Sequence, residues 1–314
     1  MSSANPFSNL PNADVLAQLM AANPPKTVGD MRRMLDGFAG LMNGDAPEVG
    51  AFHEGVPVAG GAFTADVAVP KGAGPFPVLV YLHGGGWVCG SPRTHRKLGL
   101  RFAEAGYLVV NVDYRLAPEY PFPTPFEDCV AAVRWAAREA ARFGGDPRRI
   151  AIGGDSAGGN LSAAVAAALS GDPSAPKLSA ALLIYGVFDF ATLGQPVPGV
   201  EPMPGVPAAL GAEMIEMMAG SYLGSPRSDA LLRDPRVSPL HAAAKLPPCH
   251  IVCGTADPLV ADARRLRDAL GRAGVACDYA EDAGMPHGYV QMEFLPPARG
   301  AIERMVEFLD KRLR

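Results

Sequence analysis

A serine framed by small residues, Gly154-Asp155-Ser156-Ala157-Gly158, lies between an apolar run, Ile150-Ala151-Ile152, and a helical stretch over residues 160–169. A strand, a sharp turn and a helix in that order lift a serine hydroxyl clear of a sheet edge and set it over a helix N-terminus, the placement of a nucleophile. Gly154 and Gly158 permit the turn and close packing around it. A Gly-rich loop can also cradle phosphate. Here no lysine follows at Walker spacing, and Gly153-Gly154 with Gly158-Gly159 does not form a dinucleotide fingerprint after a first strand.

A serine nucleophile needs a base, and after this kind of turn the partners follow in the order acid, then histidine. Of the six histidines, His53, His83 and His95 precede Ser156. His241 and His250 follow it, but Asp189 is the one acid at a strand end before either. His287, in Gly284-Met285-Pro286-His287-Gly288-Tyr289, sits in a turn after the last predicted strand, where an imidazole can reach back across the sheet edge. Asp257 follows one strand and precedes a helix, so it can orient His287 from the same edge. An Asp before a Pro also suits a helix start, and the two roles are compatible. Asp262, one turn further on, is the second choice. A further glycine run, His83-Gly84-Gly85-Gly86-Trp87, follows the apolar run at 78–82. Its uncovered backbone makes the Gly84 and Gly85 N–H groups, with that of Ala157, the expected donors to a developing oxyanion.

These residues need a scaffold that brings strand ends together. Residues 63–69 alternate as a half-exposed strand does, while 78–82 and 108–112 are continuous apolar runs of buried parallel strands. Strands at 149–154, 180–185, 250–253 and 275–280 alternate with helices at 161–170, 258–270 and 298–313. Thr124-Pro125-Phe126-Glu127 predicts a capping box opening a helix to about 143. The alternation predicts an α/β fold with a largely parallel sheet. Residues 12–43 read as two helices parted by Pro24-Pro25, with Met20, Met31, Met34 and Met42 among their apolar positions. Residues 190–225 break the rhythm with five prolines between 195 and 207 and then a Met-rich helix over 208–220, carrying Met214, Met217 and Met218. An insertion there lies over the carboxyl edge, where ligands bind, and is the expected lid. The expected division is an N-terminal cap segment at 1–47 and a catalytic domain at 48–314, with 190–225 as a cap insertion.

Composition narrows the function. With 314 residues, 48% hydrophobic and 19% charged, the chain is no disordered solvated segment. A net charge of −4, with basic clusters no longer than pairs such as Arg148-Arg149 and Arg264-Arg265, leaves no footprint for nucleic acid. The five cysteines are odd in number and scattered, and they read as reduced. Cys249 and Cys253 lie in an apolar run and read as core, so no metal site is expected. No Lys or Arg precedes residue 26 and no apolar run approaches ~18 residues, which points to a cytoplasmic enzyme without a membrane span.

The motifs His83-Gly84-Gly85-Gly86-Trp87, Asp113-Tyr114-Arg115-Leu116-Ala117-Pro118-Glu119, Gly154-Asp155-Ser156-Ala157-Gly158-Gly159, Asp257-Pro258-Leu259 and His287-Gly288 together resemble the bacterial hormone-sensitive-lipase-like carboxylesterases (family IV) of the α/β-hydrolase superfamily. Asp155 before the serine resembles the GDSAG branch. The resemblance implies an α/β-hydrolase fold with a helical cap and hydrolysis of short acyl esters without a cofactor. It implies Ser156, Asp257 and His287 as catalytic residues, and often a homodimer through the last strand's edge, here near 275–281. It also implies that residues 113–119 are scaffold and that Tyr289, where Phe is common, lines the pocket wall. Amide, lactone or carbamate hydrolysis would use the same residues. Plant gibberellin receptors resemble this family and bind a hormone without turnover, but they lack the histidine that His287 supplies.

Overall fold

The computed structural model describes residues 25–197, 200 and 208–314. The predicted first helix at 12–23, with Met20, and most of the proline-rich stretch lie outside the described residues. The described elements run α1 (Val28–Met42), β1 (Ala51–Val58), β2 (Phe63–Val69), β3 (Phe76–Leu82), α2 (Arg96–Glu104), β4 (Leu108–Asp113), α3 (Thr124–Glu139), β5 (Gly145–Asp155), α4 (Ala157–Ser170) and β6 (Leu178–Ile184). They continue through α5 (Ala208–Leu223), α6 (Asp229–Leu232), β7 (Cys249–Gly254), α7 (Val260–Ala273), β8 (Cys277–Asp282) and α8 (Pro296–Leu313).

The strands form one eight-stranded sheet in the order β1-β2-β4-β3-β5-β6-β7-β8. β2 pairs antiparallel with β1 and β4, and every pairing from β4 through β8 is parallel. The continuous apolar runs are the central strands. Val78, Leu79, Val80, Ile150, Ile152, Leu182, Leu183 and Ile251 are wholly buried, as strands covered on both faces by helices require. Because the central strands are parallel, their carboxyl ends share one edge, and the chemistry-bearing loops leave from it.

One local expectation needs correction, and two local features are additions. The capping box at Thr124 does not form: Pro123 is the cap residue, and its carbonyl accepts from Glu127 N–H at 3.0 Å. The helix thus begins one residue early, and Glu127 stands a position too far along to reach back to the cap. A capping box occurs instead at α1, where Thr27 Oγ1 accepts from Asp30 N–H at 3.1 Å and Asp30 Oδ2 accepts from Thr27 N–H at 2.9 Å. Strand β1 is an addition. Its residues are mostly exposed and a bulge lies between His53 and Val56, so it shows no apolar alternation to read. At the other end β8 closes the sheet, and this is the edge on which pairing with a second copy was expected.

Both segments expected to form a cap touch the glycine loop after β3. From α1, Arg32 donates to Val88 O at 2.8 Å and Ala117 O at 3.0 Å, and it grips Glu119 with two bonds of 2.8 and 2.6 Å. From α5, Tyr222 stacks on Trp87 with centroids 4.8 Å apart and planes 4° from parallel.

The sheet core makes a stability prediction. Ile152 is wholly buried in β5, paired with Val80 on one side and Ala181 on the other. Ile152→Ala should lower unfolding free energy by about 2–5 kcal/mol in urea titration, with an unchanged slope.

Candidate active site

The chain reverses direction between β5 and α4 at Ser156, whose φ of 53° and ψ of −118° fall outside helix and strand. A non-glycine residue holds such a conformation where its surroundings enforce it. Ser156 N–H donates to Ile184 O at 2.8 Å, and the two glycines let the turn pack directly against backbone. A Cβ on Gly154 would stand 2.3 Å from Leu82 O, and one on Gly158 only 1.9 Å from the same oxygen. The first turn of α4 is thus pressed against the end of β3, where the glycine loop begins.

Opposite Ser156, His287 Nε2 lies 2.9 Å from Ser156 Oγ and His287 Nδ1 lies 2.8 Å from Asp257 Oδ2. With Nδ1–H donating to the carboxylate, Nε2 is left to accept from the serine hydroxyl. The two loops that carry acid and base are stitched together. Thr255 N–H donates to Asp282 O at 3.0 Å, Ala256 N–H to Met285 O at 3.1 Å, and Gly284 N–H to Thr255 Oγ1 at 2.7 Å. Asp257 is fully buried, and its second oxygen accepts from Leu259 N–H at 2.7 Å. That bond sits ahead of α7, whose cap residue is Leu259, so Asp257 shapes the turn into the helix rather than capping it.

The remaining acids and bases have other partners. Asp262 accepts from Phe188 N–H at 2.6 Å and Asp189 N–H at 3.1 Å and pairs with Arg265, so it pins the loop after β6. Burial holds its carboxyl above the ordinary range. Asp189 accepts from Ala191 N–H at 3.1 Å. His250 is buried against Phe308, and burial lowers its imidazole to about 4. His83 stacks on Tyr114 at 4.3 Å between centroids, and burial lowers it to about 3. Burial also works against the charged form of His287. There the charge and hydrogen bond of Asp257, aided by the charge of Asp155, outweigh it and raise the imidazole above its ordinary value.

The glycine loop departs from expectation at one residue. Gly84 N–H, expected to be free for an oxyanion, instead donates to Asp155 Oδ1 at 3.0 Å and faces His95 Nε2 at 3.3 Å, so it is engaged within the protein. Gly85 and Gly86 have no protein acceptor for their N–H groups among the described residues, nor does Ala157. Sequence alone could not choose among three adjacent glycines, because the choice depends on where Asp155 points. Tyr289 also differs from expectation. It is wholly buried beside Tyr185 with its hydroxyl bonded to Asp282, which also binds Arg304 at 2.6 Å, so it braces the His287 loop from behind instead of lining the pocket. In the 113–119 segment Arg115 pairs with Asp128 at 2.7 Å and Glu119 with Arg32, while Asp113 accepts only from Thr64 Oγ1, at 3.4 Å, among the described residues. Arg32 and Gln291 were not singled out from sequence. Each lies far along the chain from its partners, and no local pattern marks it.

A serine hydroxyl bonded to a histidine that is oriented by a buried carboxylate, beside unengaged backbone donors, can attack an acyl carbon and hold the resulting oxyanion. Residues 79–291 match a family described as having the alpha/beta hydrolase fold. The chain is 40% identical over 225 residues to carboxylesterase NlhH of Mycobacterium tuberculosis, covering 71% of this chain and 69% of that protein. It is 36% identical to the ethyl acetate hydrolase of Pseudomonas putida, over 75% and 73% of the two chains. Among solved structures, the metagenomic carboxylesterase EstE1 is similar with a TM-score of 0.83 at 32% identity, covering 92% of this chain and 98% of that one. An esterase from the bacterial hormone-sensitive lipase family is similar over the whole of both chains, with a TM-score of 0.81 at 35% identity. The chain belongs to the hormone-sensitive-lipase-like carboxylesterases of the α/β-hydrolase fold. Among the described residues no helix is long and apolar enough to cross a membrane, and no cluster of three His, Cys, Asp or Glu side chains could hold a metal.

The contrast between histidines is measurable. Imidazole NMR titration should place His287 above ~6.5, the unperturbed value, and should show His83 neutral down to pH 5. Asp257→Asn should move the His287 midpoint to lower pH, because the neutral amide no longer favours the imidazolium. A His287 midpoint unmoved by that substitution would contradict the pairing.

Proposed function

We propose that this carboxylic ester hydrolase acts on short-chain acyl esters through an acyl-enzyme formed on Ser156. The observation that carries the reading is the continuous hydrogen-bonded path from Ser156 Oγ through His287 to Asp257. Ser156 Oγ bonds to the ester carbonyl carbon while its proton passes to His287 Nε2, and Asp257 stabilises the imidazolium. The carbonyl oxygen, now negative, takes donors from Gly85, Gly86 and Ala157. Collapse breaks the bond to the alcohol oxygen, which receives the proton from His287. Water then repeats the sequence on the acyl-enzyme, losing a proton to His287 and releasing the acid with Ser156 restored.

The short-chain preference is attributed to the cap. Met218 of α5 lies against Gly86, where an added Cβ would stand 2.0 Å from its sulfur, and Met214 and Met217 are partly buried nearby on the same helix. Flexible thioethers make an adaptable apolar wall over a pocket. Each acyl methylene buried there stabilises the complex by up to ~0.8 kcal/mol until the space is full. A longer chain must then displace the cap.

Ser156→Ala should reduce kcat for p-nitrophenyl butyrate by a factor on the order of 10⁴–10⁶ with the thermal midpoint retained. Near-normal turnover in the folded variant would remove Ser156 from the mechanism. Across p-nitrophenyl esters from acetate to palmitate, kcat/KM should peak at about four to six carbons. A soluble variant lacking residues 1–42 should lose that selectivity. A wild-type peak at palmitate, or an unchanged profile in the truncated protein, would rule the cap out as its source.

A further inference from the structure

The residue before the nucleophile is a buried carboxylate that the proposed proton path does not use. Asp155 is 2% exposed, and donors converge on it from four parts of the chain. Tyr81 O–H of β3 and Gly84 N–H of the glycine loop reach Oδ1 at 2.7 and 3.0 Å. Gln291 Nε2 reaches Oδ2 at 3.1 Å and His95 Nε2 lies 3.3 Å from it. Burial opposes ionisation, but the charge and hydrogen bond of His95 and the bond from Tyr81 outweigh it and hold the carboxyl down to about 2. A buried anion satisfied in this way is rigid, because every displacement strips a donor from it. Two of its partners sit in catalytic loops. Gly84 immediately precedes Gly85 and Gly86, and Gln291 ends the short turn that follows His287. The fit at Gly84 is tight: a Cβ there would lie 2.4 Å from Asp155 Oδ2 and 2.9 Å from Asp155 O.

We propose that Asp155 is a positioning residue for the oxyanion loop, anchoring Gly84 so that the Gly85 and Gly86 N–H groups stand where the carbonyl oxygen of a Ser156 adduct becomes negative. The proposal rests on the reading of Ser156 as nucleophile. It gives the engaged Gly84 N–H a task, since the first glycine of the run is the anchor and the next two are left to donate. Donors of this kind act on the transition state, so a loop that has slipped lowers kcat while ground-state binding holds.

The test uses the full-length enzyme and compares Asp155→Ala with Asp155→Asn. The alanine variant removes the acceptor for Gly84. The asparagine variant can keep its oxygen toward Gly84 and Tyr81 and turn its amide toward His95 Nε2, which accepts once the imidazole is neutral with its proton on Nδ1. For p-nitrophenyl butyrate, Asp155→Ala should lose on the order of 10²-fold in kcat with KM within about threefold, and Asp155→Asn should recover to within about tenfold of wild type. A trifluoromethyl ketone, which binds serine as an anionic hemiketal, should weaken in parallel with kcat. Equal losses in the two variants, a change confined to KM, or undiminished ketone affinity would overturn the assignment. Should Asp155→Ala not fold, Gly84→Ala presses on the same carboxylate and should give the same split, and an unchanged kcat there would overturn it equally. Labelling with a phosphonate ester separates the two readings. Wild-type enzyme labelled elsewhere than Ser156 defeats the nucleophile assignment, whereas labelling at Ser156 with wild-type kinetics in the Asp155 variants defeats only the positioning role.

Discussion

The candidate active site depends on one close approach, between the first turn of α4 and the last carbonyls of β3. Gly158 stands where any Cβ would meet Leu82 O at 1.9 Å and His83 O at 2.6 Å, and Gly154 meets Leu82 O from the strand side. This contact fixes the distance between the serine turn and the glycine loop, because both sides are backbone and neither can yield as a side chain would. It also accounts for the strained dihedrals of Ser156, which the bond to Ile184 O and the packing of both glycines enforce.

Around that contact, environment separates chemically identical groups into different tasks. The buried aspartates near the carboxyl edge differ in their partners. Asp257 has a histidine for its partner, Asp155 a ring of donors, and Asp262 the backbone of the loop after β6. Histidines divide in the same way. His83 and His250 are buried without a carboxylate bonded to the ring and stay neutral, while His287 gains the charge of Asp257 and is shifted the other way. The competition between desolvation and a nearby charge therefore sets His287 apart from two core residues.

The segments expected to form a cap are tied to the same loop that is expected to hold the oxyanion. Arg32 brings α1 onto Val88 and Ala117, and the Trp87–Tyr222 stack and Met218 bring α5 onto Gly86 and Trp87. The aromatic stack and the fourfold grip of one guanidinium are contacts of the kind that hold surfaces in fixed register.

The sequence by itself determined the sheet class and the motif residues, because both are written in local patterns. Apolar runs such as 78–82 and 150–152 mark buried parallel strands whatever their neighbours are, and a serine between a strand and a helix marks a turn. Ser156, Asp257 and His287 are spread over the chain and meet as the order of elements suggested. Tertiary structure alone decided which glycine N–H is engaged, since the Asp155 carboxylate meets Gly84 and not Gly85 or Gly86. It also decided that Tyr289 points behind the His287 loop to Asp282, and that Arg32 reaches a loop more than fifty residues away in sequence. Strand β1 escaped the reading because a pairing supplied by β2, not an apolar alternation of its own, makes it a strand. Local patterning fixes which backbone a segment prefers, but the direction of a hydrogen bond is fixed only when a distant segment supplies its partner.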